Sequence, residues 1–326
     1  MNDERFDSVP VKGSKFFAQY PGERIKAKAL ELGFSKAGIA EVVPLTVEAD
    51  RLHDWLSRGY HASMLWMQRN ADKRTNPTLV VPGARSIVCL ALNYYTNERH
   101  VDEPGKGKIS RYAWGDDYHD IVQRKLKLLW NWMEKQFPGI EGRYYVDTGP
   151  VMEKVWAERA GIGWIGKHTN LITQDLGSWI FLGEIISTLP LDPDQPATDH
   201  CGTCTLCIEA CPTGAITDPY VVDSNRCLSY LTIEHHGQVD PGLAGKTEGW
   251  IYGCDICQDV CPWNERFAQQ TREFSFEPRE PNRSPLLQDW ESMSEDEFRR
   301  MFRGSPIKRT KHAGLMRNVK MAMEKS

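Results

Sequence analysis

The sequence predicts a layered α/β (α+β) domain, then a Cys-rich domain of the bacterial two-cluster ferredoxin type, then a short helical C-terminal segment. Three observations carry this reading. Helical periodicity alternates with short buried strands over about residues 1–190, as a layered domain requires. Eight of the nine cysteines follow in two clusters. A Pro-rich stretch, Pro278 to Pro285, then separates the cysteines from a basic end.

Residues 21–33 read as a helix, with Ile25, Ala29 and Leu32 recurring at helical spacing and Gly33 as the stop. Ser35 to Ala40 is a short strand. Thr46 to Arg58 is a second helix, stopped by Gly59. Ser86 to Leu92 is a continuous apolar run of strand length, so a buried strand, with Cys89 as a core residue. Asp117 to Phe137 is a long amphipathic helix ended by Pro138-Gly139. Arg143 to Val146 is a strand, Pro150 to Ala160 a helix with Pro in its first turn, and Trp179 to Ser187 a strand. Leu189 to Thr198, rich in Pro and Asp, reads as a linker. The expected domains are therefore 1–190, 191–267 for the Cys-rich unit, and 268–326 for a Pro-rich linker and basic helical tail.

Gly161-Ile162-Gly163-Trp164-Ile165-Gly166 satisfies G-x-G-x-x-G and, with Lys167, nearly a P-loop. Both phosphate motifs need a strand before the glycines and a helix after them. Here a helix precedes and the β-like Leu171 to Thr173 follows, so no helix N-terminus supplies free amides. Nucleotide binding is rejected, and the glycines are read as points of close backbone approach.

The first cysteine cluster is Cys201-x-x-Cys204-x-x-Cys207-x-x-x-Cys211-Pro212, the bacterial ferredoxin signature. The second is Cys254-x-x-Cys257-x-x-x-Cys261-Pro262, with Cys227 upstream. It is the same motif with one ligand displaced toward the N-terminus. Three thiolates at two-residue gaps wrap one cubane, and the Cys before Pro reaches the other. One [4Fe–4S] cluster then takes Cys201, Cys204, Cys207 and Cys261. The other takes Cys211, Cys227, Cys254 and Cys257. Zinc held by two CxxC pairs explains neither the third CxxC step nor the Pro after both last cysteines.

With 40% hydrophobic and 26% charged residues the chain is ordinary for a globular protein. No apolar run approaches the length of a membrane span. Met1 to Lys15 has neither a twin arginine nor an apolar core, so a cytoplasmic protein is expected, where thiols stay reduced. The net charge of −4 does not by itself suggest nucleic acid. From Arg299 to Ser326, however, nine Lys or Arg stand against one acidic residue, Glu324. That pattern is either a phosphate-binding footprint or a solvated helix face.

Val146-Asp147-Thr148-Gly149-Pro150 and the run from Ala157-Glu158-Arg159-Ala160 through the glycines to Lys167 resemble the epoxyqueuosine reductase family. So do the segment Arg111-Tyr112-Ala113-Trp114-Gly115-Asp116-Asp117-Tyr118-His119, the segment Phe181-Leu182-Gly183-Glu184 and both Cys motifs. The match runs in family order from about residue 20 to about 267. His312 to Met323 resembles the start of a helical-repeat extension. The resemblance implies an oxidoreductase that removes the epoxide oxygen of epoxyqueuosine at the wobble position of the tRNA anticodon loop, the last step of queuosine biosynthesis. It implies cobalamin in the N-terminal domain, reduced through two [4Fe–4S] clusters by an external low-potential donor such as a flavodoxin or ferredoxin. It also implies GUN-type anticodons, a monomer and no membrane partner. No D-x-H-x-x-G occurs, so the cobalamin is expected base-off, without a protein His as axial ligand.

The family's proton donor matches Asp147. Just before a helix at 150–160, an Asp would ordinarily be an N-cap with a lowered pKa, so burial beside the corrin must win if Asp147 is to act as an acid. Arg74, Arg111, Tyr112, His119, Lys167 and Asn170 join Asp147 as expected cobalamin or substrate contacts. Glu153 and Arg159 are read as at most a pair on the 150–160 helix, at a spacing that is not the favourable one. Lys308, Arg309, Lys311 and Arg317, with Arg299, Arg300, Arg303 and Lys320, are the expected tRNA phosphate contacts. Two other readings compete. Reductive dehalogenation also resembles this use of cobalamin and two clusters, but usually with a twin-arginine signal. A ferredoxin-type carrier would not need about 190 residues of α/β domain.

Overall fold

The computed structural model describes residues 20–324; the stretch Met1 to Lys15 lies outside them. Helix α1 (Pro21–Glu31), strand β1 (Lys36–Glu41) and helix α2 (Thr46–Ser57) open the chain. Strand β2 (Ser86–Asn93), helix α3 (Tyr118–Gln136), strand β3 (Gly142–Tyr145), helix α4 (Glu153–Arg159) and strand β4 (Ile180–Ser187) follow. The four strands form one sheet in the order β1-β2-β4-β3, antiparallel at every step. The first region is therefore α+β.

The two-residue period of a strand sorts the side chains between two layers. Val88, Leu90 and Leu92 of β2 pack with Ile25 of α1 and with Val122 and Leu126 of α3. Ile87, Cys89 and Ala91 face the other way, onto Val155, Trp156 and Ala157 of α4. Strand β2 is buried along its whole length, which is why it reads as an unbroken apolar run.

The helix expected over 150–160 starts only at Glu153, with Met152 as N-cap. Asp147 is thus no helix cap. It sits in a turn at φ 56°, a left-handed conformation uncommon for a residue with a Cβ. After α4 the glycine motif forms a hairpin, Trp164–Ile165 against Leu171–Ile172. A Cβ on Gly163 would lie 2.1 Å from the Ile172 carbonyl oxygen, so the close approach is to the chain's own backbone.

The Cys-rich region contains α5 (Leu206–Glu209), α6 (Leu228–Ile233), strand β5 (Trp250–Tyr252), α7 (Ile256–Asp259) and α8 (Pro262–Phe267). Strand β5 pairs in parallel with Lys108–Ile109, from the segment between β2 and α3. Three later helices cover this junction: α9 (Leu287–Glu291), α10 (Glu295–Met301) and α11 (Lys311–Met323). Leu315, Val319 and Ala322 of α11 join Trp290, Tyr252 and Ile109 in one core. Only the opposite face of α11 is left to solvent. The segment 189–198 has no regular structure but is pinned. Asp194 accepts the Ile39 N–H and pairs with Lys26 at 2.7 Å. Among the described residues no helix is long and apolar enough to cross a membrane.

Candidate active site

A cavity of about 370 Å³ opens between the sheet and the Cys-rich region. Phe181 and Leu182 of β4, Tyr118 of α3, Asp147 and Glu153 line it together with Cys211, Cys227, Cys254 and Cys257. Cys201, Cys204, Cys207 and Cys261 are not in its wall. Burial, then Cys261, Cys201 and Cys204, push the Cys207 thiol up to about 11. Burial, then Cys227, Asp255, Cys207 and Cys211, push Cys257 up. The two thiol sets therefore adjoin through Cys207 and Cys257. All nine cysteines are free of disulfides. Among the described residues no three His, Cys, Asp or Glu side chains converge so as to hold a metal ion; a cubane spreads its thiolates around four irons rather than one.

The Asp147 carboxylate accepts from the Tyr118 hydroxyl at 3.0 Å and from His119 Nε2 at 3.2 Å. His119 Nδ1 donates to Asp117 at 2.7 Å, and Asp117 pairs with Lys308 at 2.8 Å. A ring that donates from both nitrogens is an imidazolium. Burial pushes His119 down, but Asp117 and Asp147 outweigh it and raise it to about 9. Burial pushes the Asp147 carboxyl up, yet His119 and Tyr118 hold it below its ordinary value. At Asp147 the hydrogen bonds from His119 and Tyr118 thus outweigh burial by the protein alone. The proton near this site at neutral pH is on His119.

Glu153 accepts the Asp147 N–H, while Arg159 pairs instead with Glu48 at 3.1 Å. Tyr112 and Asn170 line the cavity, and His119 reaches it through Asp147. Arg74, Arg111 and Lys167 are not in its wall. Arg74 stacks on Trp66 and points at the Gly149 carbonyl, 3.5 Å away, behind the Asp147 turn. Arg111 is buried over Trp114 and Trp179 and donates to the carbonyls of Thr96 and Glu98. Lys167 donates to the carbonyls of Gly202 (2.6 Å) and Cys204 (2.9 Å), tying the first cysteine loop to the glycine hairpin.

Sequence reasoning missed His168, Lys154 and Glu184. His168 is 4% exposed and lines the cavity. Its Nδ1 accepts the Asn170 N–H at 3.1 Å, so the neutral ring carries its hydrogen on Nε2, which has no partner. Burial, then Lys154, holds it neutral, with a pKa lowered to about 4. Lys154 donates to Thr169 O and Asn170 Oδ1 at 2.9 and 3.0 Å.

Among the basic residues, Arg309 pairs with Glu234 at 3.0 Å, and its charge is felt by Asp147. Arg317 is half-buried and donates to the carbonyls of Leu231, His235 and Gly237, which makes it a strut between α11 and α6. Arg299 pairs with Glu295. Arg300, Arg303, Lys311 and Lys320 are exposed.

Residues 74–148 match the family described as "Epoxyqueuosine reductase QueG, DUF1730", and residues 200–264 match a "4Fe-4S double cluster binding domain". A curated epoxyqueuosine reductase from Synechocystis sp. is 50% identical over 85% of this chain and 95% of its own length. One from Cellulophaga algicola is 47% identical over 90% and 95%. The chain belongs to the epoxyqueuosine reductase family. It is an oxidoreductase with a double iron–sulfur cluster domain. Two solved epoxyqueuosine reductases share its fold at TM-score 0.86. One, 33% identical, is in a structure with an epoxyqueuosine-modified tRNA-Tyr stem loop; the match covers 93% of this chain and 80% of that one. The other, from Bacillus subtilis and 31% identical, has the loop of a catalytic Asp swung out of its active site; the match covers 93% and 81%.

Proposed function

We propose that this chain removes the epoxide oxygen of epoxyqueuosine at the wobble position of a tRNA anticodon stem-loop, of the GUN type, in the cavity beside Asp147. The shared cavity carries this reading. Its lining holds four thiols of a cluster set together with Asp147, which His119 hydrogen-bonds from behind, so electrons and a proton converge on one bound group. The relative seen with a modified stem loop supports the substrate. The relative with a catalytic Asp loop supports Asp147, which also lies in a strained turn.

The cavity residues fit cobalamin. Tyr94, Tyr112, Phe181 and Leu182 offer flat apolar walls, and Asn170 and the unpartnered His168 Nε2–H suit the amide fringe of a corrin. In this tautomer His168 would offer a bound corrin a hydrogen-bond donor. When bound, cobalamin supplies a low-potential cobalt centre that can reduce the epoxide. Cys211, Cys227, Cys254 and Cys257 hold the inner [4Fe–4S] cluster. Cys201, Cys204, Cys207 and Cys261 hold the outer one. Cys204 is exposed, so the outer cluster takes electrons from an external donor such as a flavodoxin or ferredoxin.

Tyr118 and His119 orient the Asp147 oxygen, and His119 keeps a proton one hydrogen bond away. That proton passes through Asp147 to the leaving oxygen. Lys308, Arg309 and Lys311, with Arg300, Arg303 and Lys320, grip the phosphate backbone. Loop bases are already partly unstacked, which lowers the cost of extrusion. The test is anaerobic incubation of the cluster- and cobalamin-loaded protein with an epoxyqueuosine-bearing stem-loop, read by nucleoside mass spectrometry. Queuosine, lighter by one oxygen, is expected. Unchanged epoxyqueuosine with all cofactors loaded would overturn the assignment.

A further inference from the structure

A buried carboxyl behind Asp147 has no part in the steps above. Glu184 lies mid-sheet on β4, between Cys89 of β2 and Tyr145 of β3, and is 0% exposed. Neither of its oxygens meets an N–H or O–H donor among the described residues. Cys89, its cross-strand neighbour, packs on α4, so Glu184 lies on the sheet face that α4 covers, and its charged neighbour there is the carboxyl of Glu153. Two ionised carboxylates side by side repel, so a pair that shares one proton is the favoured state. An ionised carboxylate buried without a donor is strongly unfavourable. Burial, then the charge of Glu153, pushes Glu184 well above its ordinary range; burial, then Asp147, raises Glu153 to about 7.

Glu153 connects this pair to the site. It accepts the Asp147 N–H, and it lines the same cavity as the Asp147 carboxylate. The other titratable groups whose charge couples to the pair are Lys154 on α4, Arg74 behind the Asp147 turn, Tyr118 of α3 and Cys89 of β2. The Lys154 ammonium is hydrogen-bonded to Thr169 and Asn170 instead, so it leaves the carboxyl pair without a cationic donor.

The chemistry sets a requirement, which rests on the function proposed above. Removing an epoxide oxygen breaks both C–O bonds, forms a C=C bond and releases water. That takes two electrons, from the external donor through the clusters, and two protons. The Asp147–His119 pair holds one proton. We propose that Glu184 and Glu153 share the second proton and that Glu153 delivers it into the cavity, after which the doubly ionised pair refills from water. The buried double charge is the state that refilling relieves.

The test uses the full-length holoenzyme. Infrared spectra at pH 7 are expected to show the C=O stretch of a buried protonated carboxyl, shifted in D2O and lost in Glu184→Gln. The amide keeps the shape and can donate to Glu153, but it holds no transferable proton. In single turnover on the modified stem-loop, Glu184→Gln is expected to slow queuosine formation by at least about tenfold. It should also remove the part of the fall in rate that sets in around neutrality, leaving only the later decline, toward pH 9, that His119 imposes. A wild type that is active but lacks the band overturns the proposal, as does a folded Glu184→Gln protein with unchanged rate and pH profile. Should Glu184→Gln fail to fold, Glu153→Gln removes the delivering oxygen, and a normal rate in it is equally fatal. A wild type that shows the band but leaves epoxyqueuosine untouched instead overturns the function itself, and with it the delivery, while the shared proton stands.

Discussion

The two cysteine motifs differ in sequence by one displaced residue and in the structure by all their surroundings. Cys254 and Cys257, with Cys211 and Cys227, line the same cavity as Asp147. Cys201, Cys204, Cys207 and Cys261 lie beyond them, with Cys204 exposed and its loop held by Lys167. Identical ligands offer identical chemistry, so the division of labour comes from placement. In the function proposed above, the inner set serves the reaction and the outer set, through the exposed Cys204, the donor.

The comparison breaks most visibly at the thiols themselves. Cys257→Ala is expected to abolish turnover with any reductant and to lower iron from about eight to about four per chain. Cys204→Ala should lose as much iron yet keep part of its turnover when a small dye replaces the protein donor. Iron analysis beside the nucleoside assay checks both; equal loss of dye-driven turnover in the two variants would erase the distinction.

Asp147→Asn sharpens the inner side. It keeps the turn and the hydrogen-bond acceptor but cannot pass a proton, so turnover should fall by at least about a hundredfold with clusters intact. The pH profile isolates its partner. His119 is raised from 6.5 to about 9, so the stabilisation from its charge is fully present below 6.5 and is lost as pH rises through about 9. Turnover and Tm should both decline through that window, and His119→Gln should remove the step from each.

Much of this was legible in the sequence. The cysteine spacing, the buried run 86–92, the amphipathic helix near 117–137 and the Asp147 segment all carry local signals. The rest depends on long-range pairing. Glu153 and Glu184 become neighbours only because α4 lies across the sheet, and no spacing announces that. The ordinary alternative for Asp147, an N-cap, rested on Pro150 as a first-turn residue, but the helix begins at Glu153. Arg74 and Arg111 offered charge without direction, and their partners proved to be aromatic rings and carbonyls. The basic end concealed a core stripe, Leu315, Val319 and Ala322, at helical spacing.

Smaller effects are expected away from the thiols. Replacing Lys308, Arg309 and Lys311 together by Ala should raise the stem-loop Kd and flatten its salt dependence, with cluster content unchanged. An unchanged slope would place the RNA elsewhere. Cys89→Ala should cost no iron, because that thiol belongs to the core between β2 and α4.

The most direct test of the placement is electron paramagnetic resonance of the reduced protein with and without cobalamin. Paramagnetic cobalt speeds the relaxation of a nearby reduced cluster far more than that of a distant one. One cluster signal is expected to relax faster when cobalamin binds, and that signal should be the one missing in Cys254→Ala. If the affected signal is instead the one missing in Cys204→Ala, or if neither changes while cobalamin is retained, the cavity beside Cys254 and Cys257 does not hold the cobalt.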